Sequence, residues 1–83
     1  MTAPLQQDRQ AMLDDVLRRA AAAAEAGDFA EAKLCYIRSL ELIPDHPKLI
    51  NKFGETCIQI GHAHEAHAAF AKVLNMPRAD VQD

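Results

Sequence analysis

Three histidines lie within one short segment of this 83-residue chain, and imidazole readily ligates zinc, copper or nickel. His64 and His67 are one helical turn apart and could hold a metal ion from one side of a helix, with His62 just before them. A firm metal site needs three or four fixed ligands, and Glu65 would face another side of the helix. We therefore expect an exposed polar helix start and no bound metal or other cofactor.

The two cysteines, Cys35 and Cys57, match neither a metal or redox spacing nor a secreted disulfide framework. Either could be paired with a histidine as a nucleophile, but Cys57 falls on a stripe expected to be core and no oxyanion donor accompanies it. Gly27 and Gly61 are single glycines that end helices and do not form a phosphate-binding loop. The sequence thus predicts reduced, partly buried thiols in a cytoplasmic protein that is not an enzyme.

Composition narrows the classes of partner. The net charge is −3, which argues against a general nucleic-acid surface or an anionic membrane surface. No segment approaches the roughly 20 apolar residues that a membrane span needs, and the N-terminus lacks the basic start of a signal peptide. We expect neither nucleic acid nor a membrane as a partner.

The elements that must position these residues are four helices. A stripe of apolar residues at helical spacing predicts a first helix from about Leu5, ended by Gly27. Asp28 is placed to cap a second helix, which Pro44 ends. Pro47 suits the first position of a third helix, Gly61 ends it, and a fourth runs from about 63 to 75. The residues predicted to face inward are Leu13, Val16, Leu17, Ala20, Ala21, Ala24, Phe29, Ala32, Tyr36, Ile37, Leu40, Ile43, Ile50, Phe53, Cys57, Ile58, Ile60, Ala66, Ala69, Phe70, Val73 and Leu74.

A repeat of 34 positions relates the two halves of the chain. The segment that begins Gly27-Asp28-Phe29 is echoed by the segment that begins Gly61-His62-Ala63, and the same offset pairs Tyr36 with Phe70. A fixed period in this range marks repeated supersecondary units. Each helix pair has too little core alone, so stacking the two pairs completes it.

These residues resemble the tetratricopeptide repeat family, whose unit is a 34-residue helix–turn–helix. The first repeat covers about 13–46 and the second about 47–80, with 77–83 as a tail. The resemblance implies an all-α fold of two stacked antiparallel helix–turn–helix repeats, an α-solenoid, in one domain spanning 1–83. The matching residues are Gly27, Asp28, Phe29, Ala32, Tyr36, Ser39 and Pro44 in the first repeat, and Ile50, Phe53, Gly54, Cys57, Gly61, Ala66 and Phe70 in the second.

In that family the first helix of each repeat lines a concave groove that receives an extended peptide or a helix. By position, the resemblance assigns to this groove Asp14, Leu17, Ala21, Ala24, Glu25, Lys48, Asn51, Glu55, Ile58 and Gln59. The two-carboxylate clamp that some relatives use does not fit. Leu17 and Ala21 stand where its first-repeat Lys and Asn would be, and Lys52 replaces the second-repeat Asn.

The resemblance implies a protein–protein interaction or self-assembly scaffold, with a protein or peptide as partner. Residues 13–46 hold seven acidic and four basic residues, whereas residues 47–80 hold three acidic and four basic residues, which would suit an oriented homo-oligomer. An alternative is a non-catalytic N-terminal domain of a larger enzyme such as a bacterial glycosyltransferase or sulfotransferase. Metal handling by the histidines is a third hypothesis.

Overall fold

The computed structural model describes residues 4–76, with side chains from residue 8 onward, and within that range the fold is all-helical with no strand. The four helices are α1 (Pro4–Glu25), α2 (Phe29–Leu42), α3 (Pro47–Gln59) and α4 (Ala63–Leu74). The all-α prediction is confirmed for these residues. The predicted tail, 77–83, lies outside the described residues.

Helices α1 and α3 end in the same hydrogen-bonded turn. Gly27 and Gly61 both have φ of 81°, the left-handed region that a residue with Cβ adopts only at a cost, as the sequence predicted. The amide of Asp28 donates to the carbonyl of Ala23 at 2.8 Å, and at the second turn the amide of His62 donates to the carbonyl of Cys57, also at 2.8 Å. Each glycine amide donates to the carbonyl three residues before it. This pattern is a Schellman motif, which satisfies the last carbonyls of the helix and reverses the chain.

The start of α2 is capped by the residue that the sequence indicated. The Asp28 carboxylate accepts a hydrogen bond from the Glu31 amide at 3.2 Å. The reciprocal half of a capping box is not made, because the Asp28 amide is used by the turn and the Glu31 carboxylate accepts from the Cys35 thiol at 3.7 Å. Helix α3 begins at Pro47, whose missing amide hydrogen would have no partner there.

Consecutive helices pack against each other: α1 on α2, α2 on α3, and α3 on α4. Short turns connect them, so neighbours run antiparallel. Small residues allow close approach, since Ala20 and Ala32 are fully buried and Gly54 lies directly under the ring of Phe70. A Cβ added at Gly54 would meet the Phe70 ring at 2.7 Å.

The core differs from the predicted inward set at several positions. Tyr36 is buried as expected, but its counterpart Phe70 is only half-buried. Leu74 is 78% exposed, because it is the last residue of α4 and no later described helix covers it. Three other residues predicted to face inward are exposed at the surface: Ala21, Ile37 and Ile58. Conversely, the core includes residues outside the predicted set, namely Cys35, Ser39, Leu49 and Thr56.

Candidate partner-binding groove

An open groove of about 570 Å³ lies where α1, the end of α2 and the start of α3 meet. We refer to it as the α1–α3 groove. Its volume falls within the range of about 300–1,000 Å³ that is usual for ligand pockets. Its lining residues are Gln10, Leu13, Leu17, Tyr36, Ile43, His46, Lys48, Leu49 and Lys52.

The floor of the groove is apolar and belongs to the core. Leu13, Tyr36 and Leu49 are each less than a tenth exposed and lie in one packed cluster, so their positions are fixed by the fold. Leu17 and Ile43 are half-buried at its sides. Burial raises the pKa of the Tyr36 hydroxyl, with smaller contributions from Glu55 and Cys35. Tyr36 is therefore neutral at physiological pH and presents an aromatic face.

The rim of the groove is polar, and its lining includes two lysines and no arginine among the described residues. Lys48 and Lys52 lie one turn apart on α3, so they share a side of that helix, and His46 precedes them in the turn. Gln10 closes the opposite rim and donates to the Asp14 carboxylate at 3.1 Å. An apolar floor with two ammonium groups at its edge can bind an aliphatic side chain and neighbouring carboxylates.

The ten residues assigned by the family resemblance are only partly brought together. Leu17 and Lys48 line the α1–α3 groove. Asp14 is not in the lining, but its carboxylate accepts a hydrogen bond from Gln10, which is. Ala24 is half-buried against the core cluster, and Asn51 is half-buried on α3. The remaining five lie exposed outside the groove lining: Ala21, Glu25, Glu55, Ile58 and Gln59.

The family resemblance did not assign seven of the nine lining residues to a groove, and three of these seven, Leu13, Tyr36 and Ile43, belong to the set predicted to face inward. Leu13 and Tyr36 were predicted to be buried, and they are, but each also has a surface open to the groove. In the family resemblance, Lys52 occupies only a position where the carboxylate clamp would need an Asn. The sequence signal for this rim was the spacing of Lys48 and Lys52 in the first turns of the helix that begins at Pro47. This spacing places two cations on the same side of the helix.

A second polar cluster joins α2 to the start of α4. The ammonium group of Lys33 makes an ion pair with Glu65 and donates to Nδ1 of His62 at 2.9 Å. Lys33 also lies 6.0 Å from the centre of the Phe53 ring. The hydrogen bond from Lys33 holds the pKa of Glu65 below its usual value. We name this cluster the Lys33–Glu65 tie, since it links helices that are not neighbours in the chain.

The tie involves the histidine segment, but the histidines do not converge. All three histidines are exposed, and of these His62 contacts Lys33 and Glu65. Within the described residues, no group of three or more His, Cys, Asp or Glu side chains is arranged to hold a metal ion.

The cysteines are separate, buried thiols in the described structure. Cys57 is fully buried and donates to Glu65 at 3.8 Å, and Cys35 is 5% exposed. Burial is the main cause that raises the pKa of both thiols, so neither is activated as a thiolate.

Comparison with protein-family models, with curated proteins and with solved structures found no match to this chain. In residues 4–76, no helix combines the length and the apolar character that crossing a bilayer requires.

Proposed function

We propose that this chain is a non-catalytic protein–protein interaction module in which two tetratricopeptide-like helix pairs hold a segment of a partner protein in the α1–α3 groove. The observation that carries the proposal is the groove itself. It is large, open and apolar at its floor, and its floor residues are fixed in the core.

Two structural correspondences support the repeat architecture. The turns at Gly27 and Gly61 have the same φ and the same hydrogen bonds. In the second pair an aromatic ring, that of Phe70, lies over the small residue Gly54. In the first pair Tyr36 and Ala20, at the equivalent places, belong to one buried cluster.

The shape of the groove favours a protein segment over a small molecule. It is open to solvent and is lined by side chains from α1, from α2 and its end, and from the start of α3. Grooves of this kind accept an amphipathic helix, whose apolar side chains enter at helical spacing.

Self-association is a second candidate, favoured by apolar side chains at the surface. Leu34 is 58% exposed and Leu74 is 78% exposed, on helices α2 and α4 respectively. Exposed apolar surface on a repeat module is commonly covered by a further repeat or by a second copy of the chain. Sedimentation equilibrium over a wide concentration range tests this candidate, and a monomer mass throughout would exclude it.

Site-specific photo-crosslinking in the source cells tests the interaction function. A photoreactive amino acid replaces Gln10 at the rim of the groove or, as the control, Glu41, which is exposed on α2 and outside the groove lining. We expect a discrete adduct from position 10 that is absent from position 41. The adduct should be lost when Leu17→Gln makes the side of the groove polar while circular dichroism shows a folded chain. Equal adducts from both positions, or an adduct unaffected by Leu17→Gln, would contradict the proposal.

A further inference from the structure

We propose that the occupant of the α1–α3 groove is an acidic segment of a partner protein. It places a large aliphatic side chain on the floor formed by Leu13, Tyr36 and Leu49, and carboxylates against Lys48 and Lys52. This inference rests on the proposed function and specifies the chemistry of the partner.

Lys48 and Lys52 differ from the other described lysines in their ion pairs. Among the described residues, Lys33 is paired with Glu65 and Lys72 lies 3.9 Å from Asp45. Lys48 and Lys52 make no such ion pair within the described range, although the chain as a whole has more acids than bases. Two exposed ammonium groups one turn apart at the edge of an apolar groove, without a carboxylate partner among residues 8–76, are placed to receive carboxylates from a partner.

Acidic residues lie on the α1 rim of the groove and further along α3. The Asp14 carboxylate is bound to the Gln10 side chain on the α1 rim, and Glu55 lies three residues after Lys52 on α3. Glu55 makes a smaller contribution than burial to the raised pKa of Tyr36 on the groove floor. Acidic groups of a partner are therefore attracted to the start of α3 and disfavoured one turn further along. This asymmetry orients the bound segment.

Direct titration tests the inference, and the chain carries its own reporter. Tyr36 is the single tyrosine, tryptophan is absent, and the Tyr36 ring lines the groove, so tyrosine emission reports on occupancy. The probes are three synthetic peptides of roughly 12 residues, about three helical turns. They carry leucines at the same helical spacing and no aromatic residue, and differ only in having Glu, Gln or Lys between the leucines.

We expect the Glu peptide to change Tyr36 emission with saturation and to bind about tenfold more tightly than the Gln peptide, which corresponds to two exposed ion pairs near the upper end of their usual strength. The Lys peptide should bind most weakly. Raising the salt concentration should reduce the difference between the peptides, because it screens exposed charges.

A charge-reversal pair provides the matched control. The double variant Lys48→Glu with Lys52→Glu should invert the order, so that the Lys peptide binds more tightly than the Glu peptide. Arg38→Glu with Lys72→Glu makes the same change in net charge outside the groove lining and should leave the order unchanged. An inversion of preference cannot come from loss of folding, since an unfolded variant would bind neither peptide.

The outcomes separate this inference from the proposed function. If the Gln peptide binds as tightly as the Glu peptide or more tightly, the inference of an acidic partner is overturned, while the groove still stands as a proposed interaction site. If no peptide binds, the acidic partner is overturned, while the crosslinking experiment, which assumes no partner chemistry, still decides the function. Sedimentation of the wild type and of the two double variants tests whether a second copy of the chain occupies the groove. If the wild type is a dimer, and Lys48→Glu with Lys52→Glu dissociates it while Arg38→Glu with Lys72→Glu does not, the inference is overturned. Displacement of the Glu peptide by dodecanoate at lower concentration than the peptide itself requires would overturn it in favour of a lipid carboxylate.

Discussion

The contact between Gly54 and Phe70 yields a double-mutant prediction with a defined sign. Gly54 lies inside α3, and a Cβ there would approach Cε1 and Cζ of the Phe70 ring at 2.7 and 2.8 Å. Replacing a helix-interior glycine by alanine stabilises a helix by about 0.5–1 kcal/mol. Overpacking costs about 1–3 kcal/mol. The contacted atoms are the far end of a half-buried ring, which can shift, so we take about 2 kcal/mol for the clash.

The two terms predict that Gly54→Ala lowers the free energy of unfolding by about 1 kcal/mol in the wild-type chain. In the Phe70→Ala background, where the ring is absent, Gly54→Ala should raise the free energy of unfolding by about 1 kcal/mol. The coupling between the two substitutions is then about 2 kcal/mol. Phe70→Ala alone should cost about 2 kcal/mol, less than the 3–5 kcal/mol of a fully buried ring. At about 0.05–0.15 kcal/mol per residue, the whole chain has roughly 4–12 kcal/mol of stability, so the variants remain measurable.

Urea unfolding followed by circular dichroism provides the four free energies of the cycle. Ala68→Gly, at an exposed position inside α4, calibrates the helix term without a steric contribution and should cost about 0.5–1 kcal/mol. A coupling below about 0.5 kcal/mol, within the range of independent sites, would refute the close packing of the Phe70 ring on α3.

Three further predictions concern the turns, the ion pair and the thiols. Gly27→Ala and Gly61→Ala should each lower stability by about 1–2 kcal/mol, because φ is positive and open space around the Cβ leaves backbone strain as the only cost; urea midpoints that differ strongly between the two would contradict the equivalence of the turns. The pKa of Glu65 is held below its ordinary 4.5, chiefly by the hydrogen bond from its lysine partner, so its stabilising effect is present above that pH and lost as pH falls through the lowered pKa. Glu65→Gln should therefore lower the urea midpoint at neutral pH and approach the wild type in acid, and a constant difference would count against the pair. Cys35 and Cys57 should react with a thiol reagent at least about 100-fold more slowly in the folded chain than in urea; rapid labelling of the native chain would show that they are accessible.

Much of the fold could be predicted from local sequence signals. Gly27, Gly61 and Pro47 act through backbone geometry that depends on the residue itself, so the ends and starts of helices can be inferred from them directly. The prediction that Leu74 faces inward was wrong, because burial at the end of α4 requires a neighbouring helix, and periodicity alone does not reveal whether a neighbour exists. Phe70 is less buried than Tyr36 for a related reason: Tyr36 is covered by α3 as well as by α1.

The candidate site was less predictable, because it depends on how helices dock. Of the residues that the family resemblance assigned to a groove, Leu17 and Lys48 line the α1–α3 groove. Tyr36 comes from α2 and Ile43 follows its last residue, and both line the groove because of how α1 and α3 pack beside them. The Lys33–Glu65 tie joins residues far apart in sequence, so no local spacing rule indicates it.

Amide chemical-shift mapping with the partner segment that crosslinks to position 10 tests the proposed interaction site most directly. We propose that the α1–α3 groove receives a segment of another protein. On titration of that segment into the isotope-labelled chain, we predict that the largest shifts fall on α1 around Leu13, on α2 around Tyr36 and on α3 around Lys48 and Leu49. Shifts confined to the exposed side of α2 at Leu34 or to the end of α4 would contradict the claim and place the interaction surface elsewhere.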